Sequence, residues 1–206
     1  GLNAEMLEDE IEDMGGDARP LLGAIQSEVH RLTQITENYL RYARFPNPDR
    51  EPSNLSEEVL TCLSFLLPEI TEADIELDAP FDLLDQELPL DVHVDADQLR
   101  QAVFNIVRNS MDALDETSGS RVIQIRFGVR SDVVFVEFTD SGPGLEDEIT
   151  DGLFEPFVTG KSGGTGLGLS LTQQIIEAHG GSVHVESHSR SLGGALFRIE
   201  LPSFDP

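Results

Sequence analysis

Cysteine is nearly missing from this 206-residue chain, cations are scarce, and no apolar run is long enough to cross a bilayer. The single cysteine, Cys62, excludes an internal disulfide framework and fits a reducing compartment, so a cytoplasmic location is expected. Its apolar neighbours make it a structural thiol rather than a reactive one. A membrane span needs about 20 consecutive apolar residues, and neither such a stretch nor a signal-peptide pattern is present. Only 13 Lys and Arg stand against 39 Asp and Glu, a net charge of −26. Such a surface repels nucleic acid and anionic lipid, which both need clustered cations. A nucleotide remains possible, because backbone N–H groups, a helix N-terminus and a metal ion hold phosphate locally.

What the chain does have is an ordinary globular interior: 39% of its residues are hydrophobic. At about 150 residues per domain, its length suits one full domain and a smaller module. It opens on Gly1 rather than methionine, which suggests a fragment of something longer. Phe45-Pro46-Asn47-Pro48, with Pro52 beyond, disfavours a continuous helix and marks a linker, so residues 1–46 and 47–206 are expected to be separate domains. In the first, Leu22, Ile25, Val29, Leu32, Thr36, Tyr39 and Ala43 recur at spacings of three and four. Leu2 to Met14 carries a similar stripe, broken by Gly15-Gly16-Asp17 and Pro20. Two striped helices and a tight turn make an antiparallel hairpin. One hairpin cannot cover both stripes, so a second copy, completing a four-helix bundle, is the expected partner; packing on the chain's own second domain is the other solution.

The second domain mixes helices and strands without regular alternation. Asn54 to Ile70 reads as a helix capped by Asn54 or Ser56, and Ile75 to Leu77 as a short strand. Val92 to Val94 alternates as a strand, and Asp95 or Asp97 caps a long helix to about Leu114. Val122 to Phe127 and Val133 to Phe138 form a hairpin around Arg130-Ser131-Asp132. Leu167 to Ala178 is a helix stopped by Gly180-Gly181, and Val183 to Glu186 and Ala195 to Leu201 close the sheet. The expected class is α+β, a two-layer sandwich with helices on one face of a mixed sheet.

Four motifs carry candidate chemistry. Asn105 and Asn109, four apart, share a helix face in apolar company, with Asp112 and Ala113 following. They are either surface asparagines or hard oxygen donors of the kind Mg²⁺ accepts beside phosphates. Asp140-Ser141-Gly142-Pro143-Gly144 follows a strand; glycines there let backbone approach a flat ligand, and a carboxylate only accepts hydrogen bonds, so it can read an exocyclic amine such as adenine's. Taken alone, such a cluster is also an everyday turn. Leu153 to Phe157 sets two aromatics around Pro156, either a loop anchor or plain core. Gly163-Gly164-Thr165-Gly166-Leu167-Gly168-Leu169 runs straight into a helix, where turned N–H groups and the positive helix end suit a polyphosphate. Lys161 and Thr165 lie within reach of such phosphates.

In this order the motifs resemble the N, G1, F and G2 boxes of the catalytic and ATP-binding domain of sensor histidine kinases, the Bergerat fold shared with DNA gyrase B, Hsp90 chaperones and mismatch-repair ATPases. Glu28-Val29-His30-Arg31-Leu32 and Tyr42-Ala43-Arg44-Phe45 resemble the second helix of that family's dimerisation and phosphotransfer hairpin. The resemblance implies ATP and Mg²⁺ as ligands, with Asn109 on the metal and Asn105 near the phosphates. Asp140 would read the adenine amine, Gly142 and Gly144 would make room for the base, and Gly164, Thr165, Gly166, Leu167, Gly168 and Leu169 would cradle phosphates. The stretch between Phe157 and Gly164, with Lys161 in it, would be the lid. It further implies a homodimer through the hairpin, and a response-regulator receiver domain as partner.

Two departures stand out. Asp112 occupies a place where many members carry a cation, and Arg108 is the neighbour able to compensate. No histidine has the acidic follower of a phosphoacceptor; His30 sits on the second helix, and His93, His179, His184 and His188 read as structural or exposed. The acceptor is therefore expected upstream of Gly1, with no catalytic residue inside the chain. Two other readings compete: a non-catalytic, nucleotide-gated module, and a mechanical ATPase, which would need Glu where Asn105 stands.

Overall fold

The computed structural model describes residues 21–29, 32–33, 36, 45–85, 90–115, 117–146, 152–159 and 165–204. The chain forms two compact units, one of Gly1–Phe45 with Gly160–Thr165 and one of Pro46–Thr159 with Gly166–Pro206. In the first, residues 21–29 are helical, and Ile25, Val29 and Leu32 of the apolar stripe are exposed while Leu22 is buried. Leu2 to Met14, His30, Tyr39 and Ala43 lie outside the described residues. Among the described residues no helix is long and apolar enough to cross a membrane.

The larger unit opens with strand β1 (Glu51–Asn54) and helix α1 (Leu55–Glu72). Asn54 is the cap: its side-chain oxygen accepts from Ser56 N at 3.1 Å and Glu57 N at 3.4 Å. Glu57 and Glu58 add negative charge where the helix dipole is positive. Leu55, Val59, Leu63, Leu66 and Ile70 line the buried stripe. The helix stops at Asp74, in the left-handed region at φ 56°, and Ile75 N–H returns to Ile70 O at 3.1 Å. That closing pattern holds Ile75 out of the strand expected to begin there; β2 is Glu76–Asp78. A 3₁₀ turn, Phe81–Asp85, leads on towards β3 (Asp91–Val94).

Asp95 caps α2 (Ala96–Asp115), its Oδ1 accepting from Asp97 N at 3.1 Å and Gln98 N at 3.2 Å. Leu99, Val103, Ile106, Met111 and Leu114 make the inner face. β4 (Val122–Arg130) and β5 (Val133–Asp140) join through Ser131-Asp132, with Ser131 left-handed at φ 56°. Both strands outrun their expected ends at Phe127 and Phe138. α3 (Gly168–Ala178), β6 (Ser182–Glu186) and β7 (Leu196–Pro202) complete the unit.

The main sheet runs β2-β4-β5-β7-β6, parallel between β2 and β4 and antiparallel elsewhere. Ile123, Ile125, Val134, Val136, Phe138, Phe197, Ile199 and Leu201 are buried beneath the helices. Their alternates carry polar and charged groups: Arg198 donates to Glu137, and Arg126 to Asp78 at 2.6 Å. Gly128 pairs with Phe135, whose ring fills the space a side chain at 128 would need. The result is the expected two-layer α+β sandwich, with a mixed sheet and helices on one face.

One expectation is corrected. Pro52 was to be linker, yet Glu51–Asn54 pairs antiparallel with β3 in a separate two-stranded sheet. β1 has a partner on one side only, where a missing N–H is tolerated.

Cys62 is buried, and burial pushes its thiol up to about 12, which matches an inert core thiol.

His179 is the buried polar link between helices. It is 3% exposed; its Nδ1 lies 2.7 Å from Ile175 O, and its Nε2 accepts from Asp95 N at 2.9 Å. One nitrogen must donate and the other accept, so the ring is neutral. Burial lowers its pKa below the usual 6.5, despite the Ile175 bond that raises it. The unfolded chain therefore binds this proton at a higher pH than the folded one. Stability from this site is complete above pH 6.5 and is lost as pH falls through the folded value. Urea midpoints at pH 7.5 and pH 5.5 should show that drop, and His179→Leu should lower stability by about 1–3 kcal/mol at pH 7.5 through the stranded Asp95 N–H. A variant with unchanged pH dependence would remove His179 from this role.

Candidate functional site

Four sequence motifs fall on four different elements, and pairwise contacts tie them together. Asn105, half-buried on α2, donates from Nδ2 to Gly168 O at 3.1 Å and to Thr172 Oγ1 at 3.4 Å, both in the opening turns of α3. Thr172 Oγ1 itself donates to Gly168 O at 2.9 Å. Asn105 thus holds the start of α3 with the donor end of its amide, which a carboxylate in its place lacks. Asn109 is half-buried one turn further along α2, and Asp112 is exposed beyond it. Arg108 is exposed on α2, with Nη2 3.6 Å from Glu69 of α1. An exposed pair of that kind is worth about 0–1 kcal/mol.

Asp140 ends β5 and is 2% exposed. Its Oδ1 accepts from Gly142 N at 2.9 Å and Ala195 N at 3.2 Å, and its own N–H donates to Ala195 O at 3.1 Å. A carboxylate gripped by backbone donors has a fixed orientation and a stabilised charge. Ser141 fastens the same corner, its hydroxyl donating to Ser120 O at 2.6 Å and accepting from Val122 N at 2.8 Å. A Cβ on Gly142 would sit 3.3 Å from Ala113 Cβ, so the Asp140 loop lies against α2. Gly144, at φ 80°, packs on Ser187 O and the His188 ring.

Leu153 is buried and Phe154 half-buried, whereas Phe157 is exposed with a left-handed backbone at φ 69°. Phe157 N–H donates to Gly166 O at 3.0 Å. Gly166 has φ 65°, and a Cβ there would lie 2.4 Å from Phe157 C. Leu167 is buried and Leu169 half-buried. Leu167, at the N-cap of α3, has no side chain able to cap the helix, and the first turn contains no acid. First-turn N–H groups lack intrahelical acceptors, so this end suits an anion.

Lys161, Gly163 and Gly164 lie outside the described residues, and Thr165 falls in the smaller unit. The structure therefore joins Asn105 to Gly168, Gly142 to Ala113, and Phe157 to Gly166. Thr172, Ser189, Gly194 and Ala195 lie outside the four motifs; the Gly193-Gly194 doublet ahead of β7 is the sequence signal for the last group.

The donor set fits an adenine nucleotide: a buried, backbone-held acceptor stands at one corner, and the N-terminus of α3 at another. A cleft of 430 Å³ lined by Thr71, Asp74, Glu76 and Arg121 shares no residue with these motifs. There the Arg121 side chain is engaged by Ala73 O, Leu114 O and Asp115.

Comparison with known proteins points the same way. Residues 94–204 match the family described as histidine kinase-, DNA gyrase B-, and HSP90-like ATPase. The chain is 40% identical over 127 residues to the sensory histidine kinase/phosphatase NtrB of Vibrio alginolyticus, covering 57% of this chain and 35% of that protein. It is 30% identical over 204 residues to the C4-dicarboxylate transport sensor protein DctS of Rhodobacter capsulatus, covering 97% of this chain and 28% of that one. The chain thus spans about a third of the length of these relatives. Among solved structures, histidine kinase ThkA in complex with the response regulator protein TrrA superposes with a TM-score of 0.72 at 25% identity, over 98% of this chain and 57% of that one.

Proposed function

Because the chain belongs to the histidine kinase-, DNA gyrase B-, and HSP90-like ATPase family, we propose that it is the ATP-holding portion of a sensor histidine kinase. The observation that carries this reading is Asp140, buried at a strand end with Oδ1 held by Gly142 N–H and Ala195 N–H. A carboxylate so fixed accepts from the exocyclic amine of adenine and opposes the carbonyl that guanine carries in its place.

The other residues divide the remaining work. The N-terminus of α3, with Gly166, Leu167, Gly168 and Leu169, binds phosphate oxygens. Asn109 supplies an oxygen to Mg²⁺, and Asn105 fixes the helix start that faces the phosphates. When bound, Mg-ATP supplies the γ-phosphoryl group. The chain contributes orientation and charge stabilisation, as phosphoryl transfer requires. Asn105 is engaged as a donor to Gly168 and Thr172, which argues against a water-activating base at that position and so against hydrolysis as the main outcome.

The phosphoryl group goes to a histidine preceding Gly1 and then to a receiver-domain aspartate of a cytoplasmic response regulator. The histidines of the larger unit have other surroundings. His93 stacks on Phe204, His179 is buried, His184 contacts Ser182, and His188 packs on Gly144. The exposed stripe of Ile25, Val29 and Leu32 supports a homodimer through the helical hairpin, and the pairing of ThkA with TrrA supports the regulator partner. The test uses γ-phosphate-labelled ATP. The chain should bind it with Mg²⁺ and stay unlabelled, whereas a form extended upstream through the acceptor segment should become labelled. Labelling of the present chain that disappears in His30→Ala would overturn the placement of the acceptor. An extended form that binds ATP without labelling would make it a nucleotide-gated module.

A further inference from the structure

We propose that the turn between β6 and β7 positions the base-reading carboxylate, with Ser189 as its organising residue and Gly194 as the point of contact. This rests on the reading of Asp140 given above and adds residues that lie outside all four motifs.

The turn grips the Asp140 loop at both ends. At one end, Leu145 N–H donates to Ser187 O at 3.0 Å, and Gly144 lies so close that a Cβ would meet Ser187 O at 2.6 Å. At the other, the buried Gly194 passes directly over Asp140. A Cβ on Gly194 would lie 2.2 Å from Asp140 Oδ1, 2.4 Å from Asp140 O and 2.6 Å from Gly142 N. Only a residue without a side chain brings the next N–H, that of Ala195, within 3.2 Å of Asp140 Oδ1.

Ser189 shapes the turn that makes this approach. It is 5% exposed, and its hydroxyl oxygen accepts from Leu192 N at 3.2 Å and Gly193 N at 3.1 Å. Its own N–H donates to Gly194 O at 2.7 Å, and its carbonyl accepts from Gly193 N at 3.1 Å. Gly193, at φ 88°, completes the reversal. Residues 189–194 thus form a closed ring of short-range bonds that delivers Gly194 and Ala195 to one oxygen of Asp140. With Oδ1 pinned, the carboxylate plane cannot rotate, so its other oxygen has a set direction. Discrimination between an amine and a carbonyl depends on that direction, because a swinging carboxylate can retreat from the carbonyl.

The consequence is a change in selectivity rather than a uniform loss of binding. Ser189→Ala removes the acceptor of Leu192 N–H and one of the two acceptors of Gly193 N–H, which keeps Ser189 O, and so loosens the turn. ATP affinity should fall by about tenfold, GTP affinity should hold or rise, and the ATP-to-GTP ratio should fall by at least that factor. Ser189→Thr, which keeps the hydroxyl, should restore most of the ratio. Gly194→Ala should lower the ratio further; where it does not fold, the serine variants still decide.

The experiment is calorimetric titration of the whole chain with Mg-ATP and Mg-GTP for the native protein, Ser189→Ala, Ser189→Thr and Asp140→Asn. A ratio that collapses in Ser189→Ala and recovers in Ser189→Thr supports the positioning role. An equal loss for both nucleotides, or an unchanged ratio, overturns it and leaves Ser189 a structural residue. Loss of ATP binding in Asp140→Asn beside an intact ratio in Ser189→Ala rejects this inference alone. Unchanged ATP affinity in Asp140→Asn rejects the base-reading role itself, and the inference with it.

Discussion

Asp140→Asn should weaken ATP binding about a hundredfold while the fold persists. The carboxylate's Oδ1 already faces two backbone donors, Gly142 N–H and Ala195 N–H, so an asparagine must put its oxygen there. Its NH₂ then points where Asp140 presents an acceptor, and meets the adenine amine donor to donor. Losing a charge-assisted bond and stranding two donors costs about 3 kcal/mol, which is about a hundredfold in affinity. Because the oxygen side of the amide still satisfies Gly142 and Ala195, the thermal midpoint should move little. Calorimetry beside a circular-dichroism melt separates the two effects. Native affinity in the variant would sink the assignment of Asp140 to the base.

Gly166→Ala should also be costly, for a conformational reason. At φ 65° an L-residue pays about 1–2 kcal/mol, and the new Cβ would press on the Phe157 backbone at 2.4 Å. Backbone on both sides leaves no flexible atom to yield, so the Phe157 N–H to Gly166 O bond must break. Leu167 and Gly168 follow directly, so the start of α3 shifts relative to Asn105. The expected result is a loss of at least tenfold in ATP affinity, since small displacements of an oriented anion site are expensive. GTP should suffer in proportion, because phosphates rather than the base are affected. ATP affinity within twofold of native would contradict the idea that this glycine sets the phosphate end.

The two variants together separate base recognition from phosphate binding, and they map onto what the sequence discloses. Local chemistry was legible. Asn54 and Asp95 precede periodic apolar runs and do cap α1 and α2. The alternation in β4 and β5 marked the hairpin, although both strands run past their expected ends because antiparallel pairing continues to Arg130 in β4 and to Asp140 in β5. β1 was hidden by Pro52, which signals a linker except on an edge strand, and edge status is a property of the assembled sheet.

The site followed the same division. Four-residue spacing placed Asn105 and Asn109 on one helix face, but nothing local says that Asn105 donates to Gly168, 63 positions later. Ser189 to Gly194 reads as an everyday turn, and nothing local says that the next residue, Ala195, donates to Asp140 across 55 positions. Gly144, expected to make room for a base, packs closely on Ser187 and His188. Glycine in a motif announces close approach without naming what approaches.

The most direct test of the whole account is a titration of the native chain with ATP and with GTP in the presence of Mg²⁺. One ATP should bind per chain, with GTP binding weaker by at least about tenfold, the factor set by one well-placed hydrogen bond. Equal affinity for both nucleotides, or no binding of ATP, would contradict it.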